Sequence, residues 1–410
     1  MDYKKDAIKG ISWLGFLSFS TKAVGFLEAI ILARILIPAQ FGAYGVSLLA
    51  LGLLEVLTES GVNIILVQEN DVDEYVSSAW IVSILRGILI TLLLMFTAPF
   101  IANFFHSPAS LNLLYLISIV PLLRGFINPS VVKLQKELKF GKDFWYRFTI
   151  LVIDTLVSVT ITFMTRNPIG IVIGLLAGVF TQLLLSFILV SPRPRFEFKN
   201  EYIKKIFKRG KWITATSIFD YLFYNADNIA VGRLLGATAL GIYQLGYSLA
   251  AVPLSEVGKV FVHVTVPIML KISDDSKRLK SAYFKTVLSI ALISLPFAFI
   301  FALFPHLFIF ILGEKWAVIA TILPILGVLG FIKSVSLSSS ALFLSTKKQE
   351  YTTIITLVNI LGLVVSIVPL VAAYGIFGAG LSALIGALCA VPFIIYYTQK
   401  TFSSLEKRLP

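Results

Sequence analysis

The sequence predicts an all-α, polytopic membrane protein of about twelve transmembrane helices, and three observations carry that prediction. Of its 410 residues, 57% are hydrophobic and only 14% are charged, whereas an average soluble domain is roughly 25% charged. Apolar runs recur from one end of the chain to the other, each near the roughly 20 residues that a spanning helix needs. Basic residues gather in alternate loops, which is the positive-inside pattern. The net charge of +13 therefore describes membrane topology and not a nucleic-acid surface.

The runs place helices at roughly 11–37, 41–67, 75–104, 110–133, 142–165 and 168–191, and then at 211–236, 240–267, 281–311, 317–344, 350–373 and 376–399. The longer ones tilt or include an interfacial turn. The first run is too long for a signal-peptide core and lacks a small-residue cleavage site, so it reads as a retained helix. Cys389 is the single cysteine and lies in an apolar run. It excludes an intramolecular disulfide and reads as a small packing residue.

The basic loops are the N-terminal tail, Lys133 to Arg147, Arg193 to Lys211, Lys271 to Lys285, Lys347–Lys348 and the C-terminal tail. The loops between them, such as Pro38–Gln40, His106–Ala109 and Tyr374–Gly375, are short and nearly uncharged. Both termini are thereby expected in the cytoplasm, in the cell membrane of the organism. The segment Gln68 to Glu74 is acidic yet falls on the basic side, but acidic residues weigh little in this rule. At mid-chain, Pro192 and Pro194 stop a helix, and Glu201 to Arg209 reads either as a basic amphipathic segment on the inner leaflet or as a simple linker. The expected organisation is a six-helix lobe over 1–191, a basic cytoplasmic linker over 192–210 and a second six-helix lobe over 211–410.

The two halves match each other. Trp13 and Trp212, Arg34 and Arg233, Leu36 and Leu235, Gly42 and Gly241, and Tyr44 and Tyr243 are all 199 residues apart. Glu55 and Glu256 follow after a two-residue slip, and the offset then becomes 205 for Gly125 and Gly330, Tyr146 and Tyr351, Asp154 and Asn359, and Gly170 and Gly375. An even number of helices per half makes these parallel repeats, an arrangement that transporters use with a substrate site between the halves.

A charge at the centre of a spanning helix costs about 2.5–3.5 kcal/mol on insertion scales, so each such residue needs a reason. Ser217, Asp220, Tyr224 and Asp227 share one helical face, and Ser18, Thr21, Gly25 and Glu28 occupy the equivalent face of the first helix. Glu28 with Asp227, and Glu55 with Glu256, are acidic pairs at matched positions. They read as a proton or sodium site or a gate, or else as helix braces paired to nearby cations. Lys22, Arg86, Arg124, Lys259 and Lys333 are the in-helix cations. They form a cationic cavity for a phosphate-bearing substrate, or pair with the buried acids, as expected of Lys259 three residues after Glu256. Arg34 and Arg233 read as snorkelling anchors. His106, His263 and His306 show no metal-ligand spacing, so neither metal nor other cofactor is expected. There is no GxxxxGK[ST] and no HExxH motif, and no large extramembrane loop to hold a donor and acceptor, so an enzyme is not expected.

The segment Ala33-Arg34-Ile35-Leu36 with Phe41-Gly42-Ala43-Tyr44 resembles the opening of Wzx-type polysaccharide transporters. Asp227-Asn228-Ile229-Ala230-Val231-Gly232-Arg233-Leu234-Leu235-Gly236, followed by Leu240-Gly241-Ile242-Tyr243, resembles the same family more closely. These transporters belong to the multidrug/oligosaccharidyl-lipid/polysaccharide (MOP) exporter superfamily. The resemblance implies two six-helix lobes around a central cavity and a flippase that moves polyprenyl-(pyro)phosphate-linked oligosaccharide across the membrane by alternating access. Lipid-linked oligosaccharide, membrane lipid and other polysaccharide-assembly proteins are then its expected partners, with H+ or Na+ as coupling ion. An ion-coupled extruder of drugs or organic cations, from the same superfamily, is the alternative, and a membrane-embedded glycosyltransferase is a third reading. A net positive cavity favours the glycan reading, and a net negative one the cationic drug.

Overall fold

The structure is a computed structural model. It describes residues 3–59, 61, 62, 66, 67, 72–197 and 200–406, with side chains described except at 3–12, 14, 18, 19, 200, 203–213, 215, 216 and 223. The expected amphipathic character of Glu201 to Arg209, most of the acidic segment from Gln68, and the side chain of Ser18 lie outside the described residues. Every regular element among the described residues is helical: α1 Tyr3–Ile35, α2 Pro38–Leu57, α3 Val72–Phe104, α4 Ser110–Ile117, α5 Ile119–Gly125, α6 Val132–Lys136, α7 Phe140–Thr165, α8 Ile169–Leu189, α9 Asn200–Leu249, α10 Ala251–Lys271, α11 Ser276–Leu303, α12 Pro305–Leu312, α13 Ile319–Ser345 and α14 Gln349–Glu406. Short 3-10 turns at Pro129–Val131 and Glu314–Trp316 complete the set.

Nine helices among the described residues are long and apolar enough to cross a membrane, and ten if the bent α4–α6 segment counts as one span. Two of the nine are too long to be single spans. The 58 residues of α14 would rise about 87 Å, nearly three times the hydrocarbon core of ~30 Å. Gly375 interrupts α14 at φ 58° and ψ −135°, and Gly236 interrupts α9 at φ 84° and ψ 177°. Left-handed φ values of this kind cost a side chain and suit glycine. Dividing α14 at Gly375 brings the described spans to eleven when the bent segment counts as one. Large apolar side chains stand exposed along the helices, Phe96 at 73%, Phe310 at 79% and Val365 at 73% among them, as lipid-facing surfaces require.

The chain divides into two compact units, Met1–Asn225 with Gly236–Thr238, and Ala226–Leu235 with Ala239–Pro410. In the first, α2 begins sooner than expected. Pro38 takes the first helical position, where its missing N–H is no loss. The Gln40 side chain accepts from the Ile37 N–H at 3.1 Å, so Pro38–Gln40 is a first turn and not a loop. The expected helix over 110–133 is also broken, with a bend of 71° between 110–125 and 129–136. Pro129 pushes Asn128 out of the helical region, to ψ 115°. The Asn128 carboxamide then accepts from the Ser130 N–H at 2.9 Å and starts a new helix.

The hairpin of α7 and α8 packs on a ladder of glycines. A Cβ added to Gly170, Gly174 or Gly178 would stand 2.4 Å from the Thr162 backbone nitrogen, 2.5 Å from the Ser158 Cβ and 2.9 Å from the Asp154 Cβ, respectively. Glycine at this spacing lets two helices approach backbone to backbone, the main source of association where no hydrophobic effect operates.

In the second unit α10 lies on α13 by the same device, with Gly258 facing the Ser334 carbonyl and Gly330 facing the Ala251 Cα. Met269, Leu279, Tyr283, Leu342 and Phe343 close the core at one end. The expected helix over 281–311 is divided, because Phe304 leaves the helical region and Pro305 opens α12.

Candidate functional site

In the first unit, α3 and α5 cross at two Arg-Gly dipeptides, Arg86-Gly87 and Arg124-Gly125. A Cβ on Gly87 would stand 2.4 Å from the Pro121 carbonyl oxygen, and one on Gly125 2.8 Å from the Ser83 carbonyl oxygen. The glycines let the backbones touch, and each arginine, one residue earlier, is held beside the contact. Both line a cavity of about 730 Å³ with Glu55, Arg147, Gln135 and Gln182. Three arginines against one glutamate give the charged lining a net charge of +2.

Arg86 is held by three groups, and Arg124 and Arg147 by one residue each, and all three keep further donors. The Arg86 Nη2 donates to the Glu55 backbone carbonyl at 2.6 Å and to the Glu59 carboxylate at 3.2 Å, and its Nε to the Thr58 hydroxyl at 3.3 Å. Arg86 thus satisfies an orphan carbonyl at the C-terminus of α2 and meets the negative end of its dipole. Arg124 Nη1 donates to the Glu55 Oε1 at 2.5 Å. Arg147 donates through Nε to both carboxylate oxygens of Asp143, at 3.0 and 3.1 Å. A guanidinium carries five donors, so each retains N–H groups for a ligand, and fork-shaped donors suit phosphate oxygens. The volume falls within the roughly 300–1,000 Å³ of ordinary ligand sites.

A family model described as polysaccharide biosynthesis protein matches residues 31–321, more than half of the chain. The chain belongs to this family. It is similar to the lipopolysaccharide biosynthesis protein WzxC of Escherichia coli (strain K12), 24% identical over 355 residues that cover 85% of this chain and 72% of WzxC. Among solved structures it resembles the lipid II flippase MurJ in an inward closed conformation, with TM-score 0.77 and 16% identity over 95% of this chain and 89% of MurJ. It also resembles an inward-facing multidrug resistance MATE transporter of the MOP superfamily, with TM-score 0.69 and 16% identity over 95% of this chain and 96% of that one. The fold of this polysaccharide biosynthesis family member is thus one that membrane transporters use.

Of the residues singled out in the sequence, Glu55, Arg86 and Arg124 come together at the cavity. Lys22 is exposed on α1. Glu28 accepts from the Thr155 hydroxyl at 3.0 Å, so α1 and α7 meet there. Asp154, one residue before, faces Gly178 and has Glu28 and Arg124 as charged neighbours. Asp220 is exposed on α9. In the second unit, Lys259 pairs with Glu256 at 2.7 Å, as the three-residue spacing suggests.

Asp227 is 5% exposed and is held by three donors: the Tyr243 hydroxyl at 2.9 Å, the Asn228 backbone N–H at 2.8 Å and the Asn228 side-chain amide at 3.1 Å. Next to this cluster the Lys333 ammonium donates to the Tyr247 hydroxyl at 2.7 Å. Glu28 and Glu55 lie in the first unit, and Asp227 and Glu256 in the second, so the geometry describes each member of a matched pair separately.

Arg147, the last residue of the basic stretch that begins at Lys133 and already inside the expected helix over 142–165, is a site residue that sequence reasoning does not single out. Helix α7 begins at Phe140 and carries it two turns inward. The Asp143-to-Arg147 spacing of four was the available signal. The charged loops of this unit meet at one end. Lys133 pairs with Asp73, the Arg195 N–H donates to the Ser77 hydroxyl at 3.0 Å, and the Tyr202 hydroxyl donates to the Glu74 carboxylate at 2.7 Å. That last bond pushes the Tyr202 phenol up to about 12. Asp73, in the acidic segment that breaks the loop pattern, is therefore a counter-charge to Lys133 of the basic loop.

Proposed function

We propose that this chain is a flippase that moves polyprenyl-(pyro)phosphate-linked oligosaccharide across the cytoplasmic membrane for surface polysaccharide biosynthesis. The observation that carries the reading is the positive cavity of Arg86, Arg124 and Arg147 with Glu55. The name of WzxC places that relative in lipopolysaccharide biosynthesis, and MurJ is named a lipid II flippase. Both agree with a phosphate held by guanidinium groups while the glycan crosses through polar space and the lipid tail remains in the bilayer.

The proposal has six-helix repeats working by alternating access, with both termini cytoplasmic. Lys22, Lys259 and Lys333 are its further cationic candidates. Glu28 with Asp227, Glu55 with Glu256, and Asp220 are its candidates for coupling or gating by H+ or Na+. A ligand drives such a cycle only if it binds one state better than the other. Phosphate on the arginines favours the state open to the cytoplasm, and ion exchange at the acids resets it. Other polysaccharide-assembly proteins are proposed partners.

The second reading, an organic-cation extruder, rests on the MATE likeness. A net positive cavity opposes it, because a cation gains nothing from three guanidinium groups. Translocation of a polyprenyl-pyrophosphate oligosaccharide in proteoliposomes tests the proposal. Loss of that activity on replacing Arg124 supports it, and efflux of organic cations without glycan transport refutes it.

A further inference from the structure

The second unit carries a cluster of donors that the transport cavity does not include. The two limbs of α14 leave Gly375 in opposite directions along the chain. Tyr351 stands 24 residues before it and Lys400 25 residues after it. At 1.5 Å per residue both lie roughly 36–38 Å from the break, about one membrane thickness away. The two limbs therefore come together again at one membrane face, and the rings of Tyr351 and Tyr397 stack there at 4.3 Å.

The Lys400 ammonium sits over three rings, 5.8 Å from the Tyr351 centroid, 5.8 Å from that of Tyr396 and 5.9 Å from that of Tyr397. Lys348 reaches the same group, 5.6 Å above Tyr351, and donates to the Ser404 hydroxyl at 2.5 Å. Cation–π contact fixes where the Lys400 charge stands without neutralising it. Among the described residues Lys400 makes no ion pair, and the three tyrosine hydroxyls find no hydrogen-bond acceptor. The cluster thus sets the Lys400 ammonium and three phenol hydroxyls on one spot, with the Lys348 ammonium beside them.

Directly along both limbs from this spot the surface is apolar and exposed, with Leu357 at 53% and Leu361 at 62% on the first limb and Phe393 at 41% and Ile395 at 52% on the second. A free inorganic anion would use the donors alone. A phospholipid would use the donors for its phosphodiester and the apolar flank for its acyl chains. We propose that Lys348, Lys400 and the tyrosines Tyr351, Tyr396 and Tyr397 form a headgroup site for an anionic phospholipid.

The test is native mass spectrometry of the full chain released from detergent with phosphatidylglycerol or phosphatidylcholine, comparing the parent with the double variant K348Q/K400Q. The pair K280Q/K285Q on α11 removes the same charge from exposed positions of the same unit and serves as the control. The expected result is one phosphatidylglycerol retained by the parent over phosphatidylcholine, retention at least fivefold lower in K348Q/K400Q, and parent-like retention in the control. Equal retention by K348Q/K400Q overturns the site. An equal loss in the control shows only a diffuse positive surface and overturns it too. Displacement of the lipid by millimolar inorganic phosphate assigns the donors to a free anion and overturns the lipid reading.

Discussion

Arg124 and Glu55 form an ion pair of 2.5 Å in the wall of the cavity, with the arginine side chain 40% and the glutamate 26% exposed. Glu55 thus occupies the guanidinium that an incoming phosphate would use. Half-exposed pairs contribute at most about 1 kcal/mol. Glu55→Gln is expected to tighten binding of a polyprenyl-pyrophosphate oligosaccharide about fivefold. It should also slow release, so turnover falls while affinity rises. Microscale thermophoresis in detergent measures the first effect and proteoliposome flux the second. Weaker binding by Glu55→Gln would show that Glu55 positions Arg124 and does not compete for it.

Arg86 has a different duty from its neighbour in the cavity, because it caps the C-terminus of α2 through the Glu55 carbonyl and holds Thr58 and Glu59. Hydrogen bonds to charged groups contribute about 1.5–3 kcal/mol. Arg86→Ala should therefore lower thermal stability clearly, whereas Arg124→Ala should lower substrate binding with little change in stability. Differential scanning fluorimetry on both variants separates the two roles. Equal melting temperatures for parent and Arg86→Ala would remove the capping account.

The Arg-Gly crossing of α3 and α5 predicts that bulk is not tolerated there. Gly87→Ala puts a Cβ against the Pro121 carbonyl, where no flexible side chain can yield, and overpacking costs about 1–3 kcal/mol. Gly25→Ala has nothing within 4 Å and gains up to ~1 kcal/mol of helix propensity. The expected order of stability is Gly25→Ala at or above the parent, and Gly87→Ala below it with transport reduced.

Asp227 is held by Tyr243 and Asn228, and Glu28 by Thr155. If these acids couple transport to an ion, Glu28→Gln with Asp227→Asn should abolish the dependence of flux on a proton or sodium gradient while substrate still binds. Flux measured with and without each gradient is the readout. A double variant with unchanged gradient dependence would return both acids to structural duty.

Much of this architecture was legible in the chain. The helical class follows from apolar length, because a bilayer admits few alternatives. Helix ends were less legible. The sequence marks Pro38 and Pro129 as breakers, but it does not say that one opens a helix and the other, through Asn128, bends one by 71°. The site was half legible. Arg86 and Arg124 stand out as charges in apolar runs. Their meeting depends on Gly87 and Gly125, whose role appears only when the helices cross. Arg147 was hidden by its basic neighbours. Glu55 could be matched to Glu256 by sequence, but its Arg124 partner 69 residues away could not, because helix rotation is not encoded in hydrophobic length.

The central claim is that the guanidinium groups of this cavity hold the phosphate of a lipid-linked glycan during translocation. Its most direct test is flux of a polyprenyl-pyrophosphate oligosaccharide in proteoliposomes, comparing the parent with Arg124→Ala and Lys333→Ala at matched stability. The account predicts transport by the parent, a fall of tenfold or more in Arg124→Ala, and a fall in Lys333→Ala if the second unit also contributes a cation. A parent that moves no glycan but expels organic cations down an ion gradient would contradict it.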